Sequence, residues 1–173
     1  MAIGELSKEY ESNGNIGAIS SGYQDAGGKS YGMYQLASAV GSVDEFLDWA
    51  STTEYADIAN DLKNQGIATD AFDNTWKYYA TNEYDRFYAM QHEYAVHRYY
   101  DKAVEYLANA GFHIENHSDV MKDVVFSRAI QYGTYYIVEM FEDALGYMPG
   151  YEPCWNLSYV DAIRFDYDLI TSV

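Results

Sequence analysis

Between residues 16 and 36 the chain carries eight Gly or Ser, clustered as Ser20-Ser21-Gly22 and as Gly27-Gly28-Lys29-Ser30-Tyr31-Gly32. Residues of this kind break a 3.6-residue period and supply turns, so the stretch suits a small hairpin or an irregular antiparallel excursion. It is the one convincing β candidate in a chain whose other segments read as helical. The fold class expected is therefore α+β and predominantly α-helical, with a small β-hairpin lobe beside a helical body.

The helical segments are read from their apolar spacing and their stop signals. Residues 2–12 place Ile3, Leu6 and Tyr10 on one face, with Glu11 near the last turn and Asn13-Gly14-Asn15 ending the helix. Ser42-Val43-Asp44-Glu45 has the form of a capping box opening a helix over 43–50. Further helices are expected over 54–64, 70–79 and, as one long run closed by Gly111, 82–110. Ser118 caps a segment over 120–145 that is apolar enough to be a buried central helix, and a last helix covers 159–171. The stretch 146–156 holds both prolines and reads as a loop. Without repeats, low-complexity tracts or linkers, 1–173 is read as one domain.

Composition narrows the function classes. A formal charge of −17 disfavours nucleic acid and anionic lipid, which are bound mainly through Lys and Arg. No segment has the length and apolarity of a membrane span, and the N-terminus lacks the pattern of a secretory signal, so a cytoplasmic origin without membrane insertion is expected. Cys154 is the single cysteine, which leaves no disulfide framework and no zinc cluster. His92 and His97 are five apart, not four, so on a helix they point roughly 140° apart and do not form the zinc-protease pair. No metal and no cofactor are expected.

A glutamate at a helix end, followed by a loop bearing a second acid, is how glycosidases set two carboxyl groups across one glycosidic bond. One must be protonated, which burial beside groups such as Tyr10 and Tyr34 would favour, and the other ionised. Glu11 fits the first role and Asp25, beside Gly27 and Gly28, fits the second.

Glu11-Ser12-Asn13-Gly14-Asn15 resembles the E-S-G-x-N segment of goose-type lysozymes and soluble lytic transglycosylases, where the glutamate is the catalytic acid. Tyr31-Gly32-Met33-Tyr34-Gln35-Leu36 is similar to their G-L-M-Q-I/L segment, whose Gln lines the sugar cleft. The segment from Tyr23 through Asp25 and Ser30 to Gly32 resembles the Y-x-D-x-x-G-x-x-T-x-G hairpin of phage-type lysozymes. There the Asp and Thr position a water; here Ser30 replaces Thr and one residue is missing before it. Phe126 to Gly133 also resembles lysozyme-like domains of phage endolysins and tail proteins.

The resemblance implies a two-lobed lysozyme-like fold and a muramidase that cuts the β-1,4 bond between N-acetylmuramic acid and N-acetylglucosamine. Glu11 would be the general acid, and Asp25 with Ser30 would orient water. Tyr34, Gln35, Gln91, Gln131 and Tyr132 are the candidate substrate-binding residues, aromatic rings for stacking and amides for N-acetyl groups. The implied partner is the glycan strand of bacterial peptidoglycan, met by a monomer. The implied location is the host cytoplasm before release to the wall, or a phage particle. A lytic transglycosylase, a chitosanase-like glycosidase and a non-catalytic saccharide-binding module are the alternatives.

Overall fold

A computed structural model of the protein describes residue 3, residues 15–147 and residue 157. Among them the fold is mostly helical with one small two-stranded antiparallel hairpin, as its sequence suggests. The expected helices over 2–12 and 159–171, together with Glu11 and Cys154, lie outside the described residues. The chain divides at Ala95–Val96 into two compact units.

The first unit begins with the hairpin. Strands β1 (Ser30–Tyr31) and β2 (Leu36–Ala37) pair antiparallel, with Ser30 opposite Ala37 and Tyr31 opposite Leu36, and Ile19 adds an isolated bridge to Tyr31. Helix α1 (Ser42–Ala50) buries Val43, Phe46, Leu47 and Ala50, the spacing of one helical face. Its expected capping box does not form. The N-cap is Gly41 at φ 82°, and no side chain caps the helix, because Ser42 already lies inside the first turn.

Helix α2 (Ala56–Gln65) starts later than its apolar pattern suggests, after a turn closed by Ala56 N–H donating to Thr53 O at 3.2 Å. Helix α3 (Asp70–Asn82) opens on Thr69, whose side-chain oxygen accepts from Phe72 N–H, and buries Phe72, Trp76 and Tyr79. The long run expected over 82–110 is interrupted. Glu83 leaves helical geometry at φ −128°, and α4 (Tyr84–Ala95) begins after it. Trp76 centres this unit, with ring centroids 4.8 Å from Phe87, 5.3 Å from Tyr31 and 5.9 Å from Phe46. Arg86 ties α4 to the start of α2 through Asp57 and the Glu54 carbonyl, both at 2.8 Å.

The second unit opens with a π-helical turn, Val96–Tyr100, followed by α5 (Asp101–Asn109) and, as expected, a stop at Gly111, φ 91°. A 3₁₀ turn (Ile114–Asn116) precedes α6 (Asp119–Tyr132), where Ser118 caps the helix by accepting from Met121 N–H at 3.2 Å. The single central helix expected over 120–145 is two helices. Gly133 sits at φ 80°, ψ 161°, ending α6, and α7 (Ile137–Tyr147) follows a short turn. Phe112 anchors the core here, stacked on His117 at 4.2 Å and edge-on to Phe141 at 5.5 Å. Among the described residues no helix is long and apolar enough to cross a membrane.

Candidate functional site

The segment that follows the Glu11 motif is fixed by two buried side chains. Trp76 Nε1–H donates to the Ile16 carbonyl at 2.8 Å, and Gln91 Nε2–H donates to the same oxygen at 3.0 Å. The other end of the Gln91 amide accepts from Met33 N–H at 3.1 Å. One side chain, 2% exposed, therefore holds Ile16 and the Gly-Met-Tyr-Gln segment together.

This clamp explains a glycine. Gly32 sits at φ 77°, and a Cβ there would overlap the Gln91 side-chain oxygen and press on the Trp76 ring at 3.0 Å. Its N–H donates to the Ala18 carbonyl at 2.8 Å, which draws the strand after Ile16 onto the hairpin. The sequence predicts Gln91 as a substrate contact; the structure places it inside the unit as a strut, with both polar ends taken by backbone.

A second anchor is Asp73 on α3, which accepts from Lys29 Nζ and from the Tyr31 hydroxyl, each at 2.6 Å. Burial pushes the Asp73 carboxyl up, but the Lys29 ammonium and the Tyr31 hydroxyl outweigh it and hold the group below its ordinary value. Burial, reinforced by Asp73, raises Tyr31 well above the usual phenol range. Both hairpin residues are thus tied to the helical body.

The outer edge of the hairpin is polar. Asp25 is exposed and turns its Oδ1 onto Gly27 N–H at 2.8 Å, closing an Asx turn with Gly28 N–H on its own carbonyl at 3.0 Å. Ser30 Oγ–H donates to Ser20 Oγ at 2.8 Å, and that oxygen also accepts from Ser30 N–H at 2.8 Å. Tyr34 is half-buried with its hydroxyl 2.9 Å from His92 Nδ1. Gln35 is exposed at φ 54° on the turn between the strands. Asp25, Ser30, Tyr34, Gln35 and Gln91 all belong to the first unit. Gln131 and Tyr132 belong to the second, exposed at the end of α6, where Arg128 donates to Gln131 Oε1 at 3.0 Å and lies 5.9 Å from the Tyr132 ring centre.

Two cavities flank this unit. The larger, about 660 Å³, includes Ser38, Asp44, Asp48 and Lys63, and is lined by no predicted site residue. Its one ion pair, Lys63 to Asp48 at 2.7 Å, is solvent-facing. The smaller, about 260 Å³, lies against Asn15, Gly17, Lys77, Thr81 and Tyr84, directly after the Glu11 motif in the chain. Asp73 and Trp76 carry only ordinary helical spacing, and His92 is weighed from sequence only as half of a rejected zinc pair; the hydrogen bonds that give these residues their place span more than 40 residues. Among the described residues no group of three or more His, Cys, Asp or Glu side chains gathers as a metal site.

Residues 3–153 match the family described as type VI secretion system spike protein VgrG3-like, C-terminal. The chain belongs to this family. It is also 30% identical over 132 residues to the type VI secretion system spike protein VgrG3 of Vibrio cholerae serotype O1 (strain ATCC 39315 / El Tor Inaba N16961). That alignment takes in 76% of this chain and 12% of the Vibrio protein, so the chain spans about an eighth of its relative's length.

Membership in the VgrG3-like C-terminal family overturns the assignment drawn from short motifs. The goose-type lysozyme, transglycosylase and phage-endolysin resemblance rested mainly on residues 10–36, whereas the family match extends over 3–153. Gly-rich hairpins with a nearby acid satisfy turn chemistry in many folds, so such motifs carry little family information. The muramidase assignment falls with it, as do peptidoglycan strands as the partner and the phage particle or host cytoplasm as the location. A secretion-system spike family stands in their place.

Proposed function

We propose that this VgrG3-like C-terminal region is an enzyme, a glycoside hydrolase, carried as one part of a type VI secretion spike protein. The observation that supports this reading is the Gln91 clamp. A buried amide joins the Ile16 carbonyl, which directly follows Glu11-Ser12-Asn13-Gly14-Asn15 in the chain, to the Met33 N–H, and so fixes the turn that carries Tyr34 and Gln35 to the helical body. In this reading Glu11 is the general acid, Asp25 is the ionised carboxylate, and the Ser20–Ser30 hydroxyl pair orients water. Gln91 and Trp76 are positioning residues, acting through the backbone they hold.

The test is release of reducing ends from a panel of purified polysaccharides by the parent chain and by Glu11→Gln. The expected outcome is turnover of at least one polymer, lowered about 10²- to 10⁴-fold by the substitution. Equal rates from the two proteins, or no reducing ends from any polymer, would refute the proposal.

A further inference from the structure

Asp73 on α3 meets the hairpin on both sides of Ser30. Its two carboxylate oxygens accept from different residues, Oδ2 from Lys29 Nζ and Oδ1 from the Tyr31 hydroxyl, each at 2.6 Å. Tyr31 is fully buried, and its hydroxyl also bonds the backbone of Ala68, which stands at φ 66° in the turn between α2 and α3. Along an extended strand successive side chains point to opposite faces, so with Lys29 and Tyr31 both drawn to Asp73, Ser30 between them is turned to the other face. There its Oγ–H donates to Ser20 Oγ at 2.8 Å. Two further bonds keep the serines in register, Ser30 N–H to Ser20 Oγ at 2.8 Å and Ser20 N–H to the Ser30 carbonyl at 2.9 Å. The carboxylate therefore acts on the serine pair through the backbone of Ser30's two neighbours.

We propose that Asp73 is the positioning residue for the Ser20–Ser30 hydroxyl pair, and so sets the direction from which a water held by that pair approaches. The proposal rests on the glycosidase reading for what the pair does, while the positioning itself does not depend on it. An ordinary surface ion pair would not act in this way. The Asp73 side chain is only 15% exposed, both of its oxygens are engaged, and its bonds span 42 and 44 residues, so they fix the hairpin against α3 rather than one side chain against another. Charge is part of the device: a carboxylate accepts from an ammonium and a phenol at once, and such bonds are stronger than those of a neutral amide. Gln91 holds the same hairpin at Met33. The two anchors have separate targets, since Gln91 places the turn that carries Tyr34 and Gln35 and Asp73 places Ser30.

The experiment compares the whole chain with Asp73→Asn and Tyr31→Phe, each alone and combined with Ser30→Ala. Asn has one acceptor oxygen where the carboxylate has two, so either Lys29 or Tyr31 is released; Tyr31→Phe keeps the buried ring and is the variant to read if Asp73→Asn does not fold. With no substrate present, amide hydrogen exchange at Ser30 should quicken about tenfold in either variant, while exchange at Met33, held by Gln91, stays as in the parent. Equal quickening at both amides would show a loosened fold rather than a released serine, and unchanged exchange at Ser30 would show that nothing is held; either result overturns the proposal. On a purified polysaccharide that the parent turns over, Asp73→Asn should lower kcat about 10- to 10²-fold at nearly constant KM, with a smaller effect of the same kind from Tyr31→Phe. In the Ser30→Ala background neither should cost more than about twofold, because the group they position is gone. Unchanged kcat, or effects that add in full to that of Ser30→Ala, would overturn the proposal as well. Selective quickening at Ser30 in a chain that turns over no polysaccharide would sink the glycosidase reading and leave the positioning standing.

Discussion

Gln91 concentrates most of what a single residue contributes to this protein. Its amide donates to the buried Ile16 carbonyl and accepts from the buried Met33 N–H, joining two segments of the hairpin junction. Replacing it by Ala takes the Oε1 acceptor from Met33 N–H, leaves the Ile16 carbonyl with Trp76 Nε1–H, and opens a void, at a cost of about 3 kcal/mol. Urea denaturation should show a lower midpoint at unchanged slope; a midpoint equal to the parent's would mean that water or a shift of Trp76 replaces the clamp. Asp73 acts through charge. Its folded-state pKa lies below the unfolded value, so its stabilisation is present above the unfolded pKa and lost as pH falls through the folded one. From about pH 4 downward the parent should therefore lose stability more steeply than Asp73→Asn. Equal slopes would show that the Lys29–Tyr31 pair contributes no net stabilisation.

At the scale of elements, helix ends separate what periodicity predicts from what the backbone does. Thr69 and Ser118 cap their helices as their side chains allow, and Gly111 stops one as expected. Ser42 does not cap, because Gly41 brings the chain into α1 from a left-handed conformation. Apolar residues continue past Gly133, so pattern alone joins α6 to α7. The observed φ and ψ of Gly133 are open essentially to glycine alone, and a Cβ there would meet nothing within 4 Å. The penalty for Gly133→Ala is accordingly conformational, about 1–3 kcal/mol, and should appear as a lower melting temperature. If the variant instead gained helical signal and stability, the two helices would be shown to fuse when glycine is removed. The π-turn at Val96–Tyr100 interrupts a stretch that the sequence pattern reads as one continuous α-helix.

For the molecule as a whole, the charge of −17 acts against compaction through self-repulsion. Raising ionic strength from about 0.01 M to about 0.5 M shortens the screening length and should raise the melting temperature. A fall would mean that screened ion pairs such as Arg86–Asp57 outweigh the repulsion. The sequence by itself determined the helix-rich α+β class, the hairpin's place, and the helical spacing of Phe72, Trp76 and Tyr79 on α3, because side-chain periodicity is a local property of the chain. It could also propose Glu11, Asp25 and Ser30 as a set, since residue type and spacing are visible there. What the tertiary structure decided was how those pieces are held. Trp76 and Gln91 reach Ile16 across 60 and 75 residues, and Asp73 reaches Lys29 across 44. Such contacts leave no periodic trace, so an ordinary glutamine on a helix could be read as a sugar ligand until packing showed it buried between two backbones.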